Sequence, residues 1–135
     1  MSGVTLRLDG ERWREHLRTV AGATPGIVPV IKGNGYGFGL RRLAEESVAL
    51  GADTVGVGIP SEVGIVREAF PGDVVILTPW DPSSELASEL TTNSSVITTV
   101  SRPHDLELLA ARGDRPRVLV EVLTSMQRHG IRPDD

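Results

Sequence analysis

The sequence predicts an α/β protein built on a parallel sheet, and three observations carry that reading. Short apolar runs recur about every 20–25 residues, at 27–32, 54–58, 74–77, 95–100 and 117–122, each with the length of a buried strand. Between them lie stretches whose apolar residues fall at helical spacing. Aromatic residues make up only 4% of the chain, so the core must be built from Val, Ile, Leu and Ala, as buried parallel sheets usually are. Strand, loop, helix and turn repeated in this order imply right-handed βαβ units. An open doubly wound sheet and a closed (β/α)₈ barrel both fit the rhythm.

Residues 4–8 alternate apolar and polar (Val4, Leu6 and Leu8 against Thr5 and Arg7) and read as a half-buried strand. Asp9 is placed to cap a helix in which Trp13, Leu17, Val20 and Ala21 recur on one face. After the 27–32 run, residues 39–50 read as a helix with Leu40, Leu43, Ala44 and Val48 inward and Gly51 as its stop. Residues 61–70 form the next helix, opened by Ser61. A weaker helix covers 83–90, and a further one covers 101–112 with Ser101 as its cap.

With 135 residues the chain suits one domain, and a fold of that size buries roughly two thirds of its unfolded surface. A net charge of −4 argues against nucleic-acid or anionic-membrane partners, which call for a basic surface. There are no cysteines, which removes disulfides, thiolate metal sites and cysteine catalysis. The opening residues have no apolar core of a signal peptide and no stretch is long enough to span a bilayer, so a cytoplasmic location is expected. His104 and His129 stand without partner motifs, and no metal site is expected.

Lys32 is the only lysine; the other thirteen basic residues are arginine. Arginine keeps its proton in proteins, whereas a desolvated lysine can become a neutral amine nucleophile. Lys32 closes an apolar run and precedes Gly33-Asn34-Gly35-Tyr36-Gly37-Phe38-Gly39. In parallel α/β folds ligands gather at the carboxyl ends of strands. Three other segments share that placement: Gly56-Val57-Gly58-Ile59-Pro60, Thr78-Pro79-Trp80, and 124–130 with Thr124, Met126, Arg128 and Gly130. The spaced glycines after Lys32 contain no GxGxxG in register, and no phosphate-loop Gly-Lys-Ser/Thr occurs.

Val30-Ile31-Lys32-Gly33-Asn34-Gly35-Tyr36-Gly37-Phe38-Gly39 resembles the pyridoxal-phosphate signature of the alanine racemase family, fold-type III enzymes built on a (β/α)₈ barrel. Thr124-x-Met126-x-Arg128-x-Gly130-Ile131 resembles that family's second motif, after the fifth barrel strand, and Leu6-Arg7-Leu8-Asp9 resembles its opening strand. The resemblance implies a TIM-barrel type fold, incomplete at about five of eight βα units. Residues 1–135 would then be the N-terminal part of the pyridoxal-phosphate-binding barrel, with the C-terminal β-domain absent and the chain truncated.

By the same resemblance, Lys32 would form the Schiff base with pyridoxal 5′-phosphate and act as one catalytic base. Tyr36 would hydrogen-bond the cofactor phosphate, and Arg128 would donate to the ring's phenolic oxygen. The chain departs from the pattern at Leu123 (aspartate in the family), Ser125 and Gln127 (glycines) and His129 (an apolar residue). Glu121 stands where many members carry a lysine, and an ion pair between Glu121 and Arg128 is expected. The implied function is Cα proton removal and return on a small amino acid by a homodimeric racemase, with little activity from this chain alone. The alternatives are a pyridoxal-phosphate carrier or regulatory protein of the same barrel fold and a non-catalytic remnant.

Overall fold

The computed structural model describes residues 3–134. Four parallel strands, β1 (Thr54–Val57), β2 (Asp73–Ile76), β3 (Val96–Val100) and β4 (Arg117–Val120), pair in sequence order. The helices are α1 (Gly10–Ala23), α3 (Leu40–Ala49), α4 (Glu62–Arg67), α5 (Glu85–Leu90) and α6 (Pro103–Ala111), with a single left-handed turn, α2 (Lys32–Tyr36), before α3.

Register places Val55 with Val74 and Val57 with Ile76, and Val74 with Val96. These side chains share one face and bury against Leu40, Ala44, Val63, Val66 and Phe70 from the helices. Farther along, Val100 and Val118 meet Ala87, Leu106, Leu109 and Trp80. Strand alternation sends Gly56, Val75, Ile97, Thr99 and Leu119 to the opposite face, which among the described residues takes no part in the helix-packed clusters.

The 27–32 run contributes less than a strand. Val30 makes one parallel bridge to Gly56, supported by Ile31 N–H to Gly56 O (2.8 Å) and Gly56 N–H to Pro29 O (2.8 Å). Pro29 has no N–H to donate, which interrupts the ladder. The 4–8 segment corrects the sequence reading more sharply: it takes no strand conformation, and Val4, Leu6 and Leu8 are 86%, 79% and 51% exposed. Its alternation is meaningful only beside a sheet edge, and it lies outside the strand order. β4 was expected to be buried, but as the last strand in the order it leaves Leu119 and Val120 about half exposed.

Helix ends follow local chemistry. Asp9 caps α1 by accepting from Arg12 N–H (3.1 Å), and Ser84 caps α5 by accepting from Ala87 N–H (3.2 Å). Ser101 does not cap α6: the cap position falls on Arg102, Pro103 takes the first turn, and the Ser101 hydroxyl turns to Glu121. α1 buries none of its residues and is tied down by Trp13 stacked on Phe38 (centroids 6.3 Å apart) and by Arg14 on Glu46.

Two outcomes test this packing. Phe70→Ala should cost about 3–5 kcal/mol in denaturant unfolding, the usual cost of emptying a buried aromatic site. Ile65→Ala, half-exposed on α4, should stay within about 0.5 kcal/mol of wild type. The second concerns Glu46, whose carboxyl Arg14 holds below the ordinary glutamate range by hydrogen bonding. A depressed carboxyl stabilises above its unfolded pKa, about 4.3, and loses that contribution as pH falls through the folded value. The stability gap between wild type and Glu46→Gln should therefore be present at neutral pH and close on acidification below that range; a gap independent of pH would refute it.

Candidate functional site

Parallel pairing puts the carboxyl ends of all four strands, and the turn after Val30, on one rim of the sheet. Ile31 is 2% exposed and packs in the helix-covered core, while Val30 and Lys32 lie against Gly56 and Gly58 on the helix-free face. The glycines of β1 confirm this placement. A Cβ built at Gly56 would meet Val30 at 3.4 Å and Leu77 at 3.6 Å, and one at Gly58 would meet the Lys32 Cβ at 3.2 Å. Lys32 thus lies alongside Gly58, and its amine has no hydrogen bond or ion pair to any described residue.

The turn that carries Lys32 is left-handed. Gly33, Asn34, Gly35, Tyr36 and Gly37 all have positive φ, between 52° and 93°. Gly35 is required there, since an added Cβ would stand 3.2 Å from the Leu43 side chain and 3.3 Å from the Leu40 amide. Tyr36 ends the turn with its side chain 60% exposed. Lys32 and Tyr36 therefore share one turn.

Arg128 sits on a different loop, 123–130, that follows β4. The loop closes where Ile131 pairs with Val122, through Ile131 N–H to Glu121 O (2.8 Å) and Leu123 N–H to Ile131 O (2.9 Å). Gly130, at φ 128°, has no room for a Cβ against the Leu123 backbone. Arg128 is exposed, with Nη2 4.0 Å from Met126 Sδ. Four strand spacings separate this loop from the Lys32 turn, about 19 Å along the sheet at about 4.8 Å each. The rim is common to both, but the structure brings no direct contact between them.

The expected Glu121–Arg128 ion pair does not form among the described residues. Glu121 Oε2 instead accepts the Ser101 hydroxyl proton at 2.5 Å. Both groups follow adjacent strands on the helix-free face, so the carboxylate finds a donor next door, while Arg128 is carried outward by its loop.

Sequence reasoning missed Glu62. Its carboxylate is 9% exposed and accepts from four backbone amides: Oε1 from Gly33 (2.9 Å) and Asn34 (3.5 Å), Oε2 from Gly58 (2.6 Å) and Ile59 (3.3 Å). A glutamate in the first turn of a helix reads as an ordinary complement to the helix dipole. Nothing in its spacing announces donors 28 and 29 residues upstream. Among the described residues, no cluster of three or more His, Cys, Asp and Glu could hold a metal ion, and no helix is long and apolar enough to cross a membrane.

The sequence matches the family profile described as alanine racemase, N-terminal domain, over residues 8–135. The chain belongs to that family. It is 30% identical to an alanine racemase of Desulfovibrio desulfuricans, over 98% of this chain and 37% of the relative. It is 32% identical to an alanine racemase of Vibrio cholerae, over 99% of this chain and 37% of the relative. Among solved structures, alanine racemase from Bartonella henselae with covalently bound pyridoxal phosphate superposes with a TM-score of 0.75 at 22% identity, covering 90% of this chain and 37% of that one. Alanine racemase from a D-cycloserine-producing Streptomyces lavendulae gives 0.72 at 25% identity, covering 93% and 34%. These likenesses bear out the incomplete parallel (β/α) barrel expected from the sequence. The chain spans about a third of the length of the alanine racemases it matches.

Gly58→Ala tests the close approach of the Lys32 stem. Its Cβ would crowd both Lys32 Cβ and Glu62 Oε2 at 3.2 Å, so overpacking should cost about 1–3 kcal/mol in denaturant unfolding. Gly64→Ala, where an added Cβ meets nothing within 4 Å, should be neutral or stabilising. Equal stability of the two variants would show that the approach is looser than described.

Proposed function

We propose that residues 1–135 are the cofactor-bearing N-terminal part of a pyridoxal-phosphate-dependent amino-acid racemase of the alanine racemase kind. The observation that carries this reading is the Lys32 amine: in a chain of this family, the only lysine lies on the helix-free face, beside Gly58, without an anionic partner among the described residues. The donor set fits the cofactor group by group. An amine suits its aldehyde, an exposed tyrosine hydroxyl suits a phosphate oxygen, and a guanidinium with no acidic partner among the described residues suits an anionic ring oxygen.

In this reading Lys32 holds the cofactor covalently through Nζ and moves a proton at the substrate Cα from its own face. Tyr36 donates to the phosphate and Arg128 to the phenolic oxygen. When bound, pyridoxal phosphate supplies the electron sink for the pair left at Cα. Glycine at 58 leaves room for the Lys32 stem to lie against the end of β1. Racemisation also needs a proton donor on the opposite face of Cα, and Lys32 provides one of the two. The substrate is a small amino acid and the complete enzyme a homodimer in the cytoplasm.

The folded chain should take up pyridoxal phosphate and, after borohydride reduction and digestion, carry it on the peptide containing Lys32. Lys32→Arg should keep the fold and lose that adduct in mass spectrometry. Labelling confined to the amino terminus of a folded sample would refute the assignment.

A further inference from the structure

The turn that presents Lys32 is poorly equipped to hold its own shape. Positive φ at Asn34 and Tyr36 is unfavourable for residues with side chains. Bonds at the ends of the turn run from Gly35 N–H to Ile31 O (3.0 Å), from Phe38 N–H to Gly35 O (2.9 Å), and from Gly37 and Gly39 N–H to Asn34 O (3.2 and 2.9 Å). The Gly33 and Asn34 amides are left to a partner outside the turn. Glu62 supplies it with one carboxylate oxygen and uses the other for the Gly58 and Ile59 amides of the next loop.

A glutamate that merely caps a helix serves amides of the first turn or reaches back to those just upstream, as Glu62 does with Gly58 and Ile59. Its other oxygen goes beyond capping, to the Gly33 and Asn34 amides of a separate loop, so that one carboxylate joins the two loops that flank the Lys32 stem. Hydrogen bonds from N–H groups to a charged acceptor are shorter and stronger than neutral ones, and the 2.6 Å bond from Gly58 fits that class. Gly58 also touches Lys32 through its missing side chain, since a Cβ there would lie 3.2 Å from both Lys32 Cβ and Glu62 Oε2. The carboxylate, the lysine stem and the glycine therefore form one packed unit.

We infer that Glu62 is a positioning residue for Lys32: by pinning the left-handed turn to the end of β1, its carboxylate sets where the lysine amine stands on the rim. The inference rests on the reading of Lys32 as the cofactor-bearing amine, but its geometry is testable without cofactor. Glu62→Gln keeps the size of the side chain and turns an NH₂ group toward amides that need an acceptor. Glu62→Asp keeps the charge on a shorter stem.

The test compares amide hydrogen exchange and Lys32 acetylation by acetic anhydride in the free wild-type chain and both variants. In Glu62→Gln the Gly33, Asn34, Gly58 and Ile59 amides should exchange at least about tenfold faster, the scale of a lost charge-assisted bond, while β2 and β3 keep wild-type protection. The pH profile of Lys32 acetylation should shift in the same variant, and Glu62→Asp should restore part of both. Should Glu62→Gln fail to fold, Glu62→Asp carries the same two readouts at smaller amplitude. Uniform acceleration across the sheet, unchanged exchange in the two loops, or an unchanged Lys32 profile would each overturn the inference. Cofactor trapping on wild-type Lys32 is scored separately, so failure of the racemase reading and failure of the Glu62 role are told apart.

Discussion

Ile31 is the point at which the apolar layer reaches the Lys32 turn. Its side chain is buried among Leu40, Ala44, Val55 and Val57 in the cluster that binds the sheet to its helices. With Ile31 drawn to the helix side, the turn that begins at Lys32 sets the lysine Cβ against Gly58 on the other side. The direction of a polar, chemically competent side chain is thus set by the hydrophobic burial of its neighbour. Glu121 follows β4, and its carboxylate meets Ser101 at the end of β3. Because all pairings are parallel, both residues arrive at the same rim.

Local chemistry was legible in the chain where one residue type admits one role. Asp9 before a helical pattern caps α1, and Gly51 after Ala49 and Leu50 stops α3 at φ 79°. The strands of Val and Ile pairs were legible because their apolar runs have no other place to go. The Lys32 motif and the family were legible because residue order and spacing repeat a known pattern. What escaped depends on distance. The 4–8 alternation has the period of a strand, but period does not say which edge a strand pairs with. Pro29 lay within a run otherwise suited to a ladder, and one missing donor cut it to a bridge. Ser101 has the chemistry of a cap, yet a stronger acceptor twenty residues ahead takes its hydroxyl. Glu62 was invisible as a partner of Gly33 because a carboxylate has no sequence preference for the amides it will meet.

The helix-free face has a mixed character that follows from its strands. Val75 and Thr99 are buried, while Leu77 and Leu119 remain partly open. Thr99 turns its hydroxyl onto the Ile76 carbonyl at 2.6 Å, so this polar side chain is satisfied without water. A sheet of this type normally buries both faces. In a chain that spans about a third of the length of its relatives, these apolar side chains mark the surface on which a barrel interior would be built.

The loose seating of α1 has a consequence for how the molecule breathes. With no buried residue of its own, α1 has little apolar area to lose when it detaches, so it belongs to the least protected unit of the fold, opening on its own while the valine core stays closed. One of its two anchors is Phe38, which lies in the loop between the Lys32 turn and α3. Each excursion of the helix therefore removes a stacking partner from the loop that carries the lysine. Local opening at the amino end is thus linked to the loop that carries the lysine through one stacked ring pair.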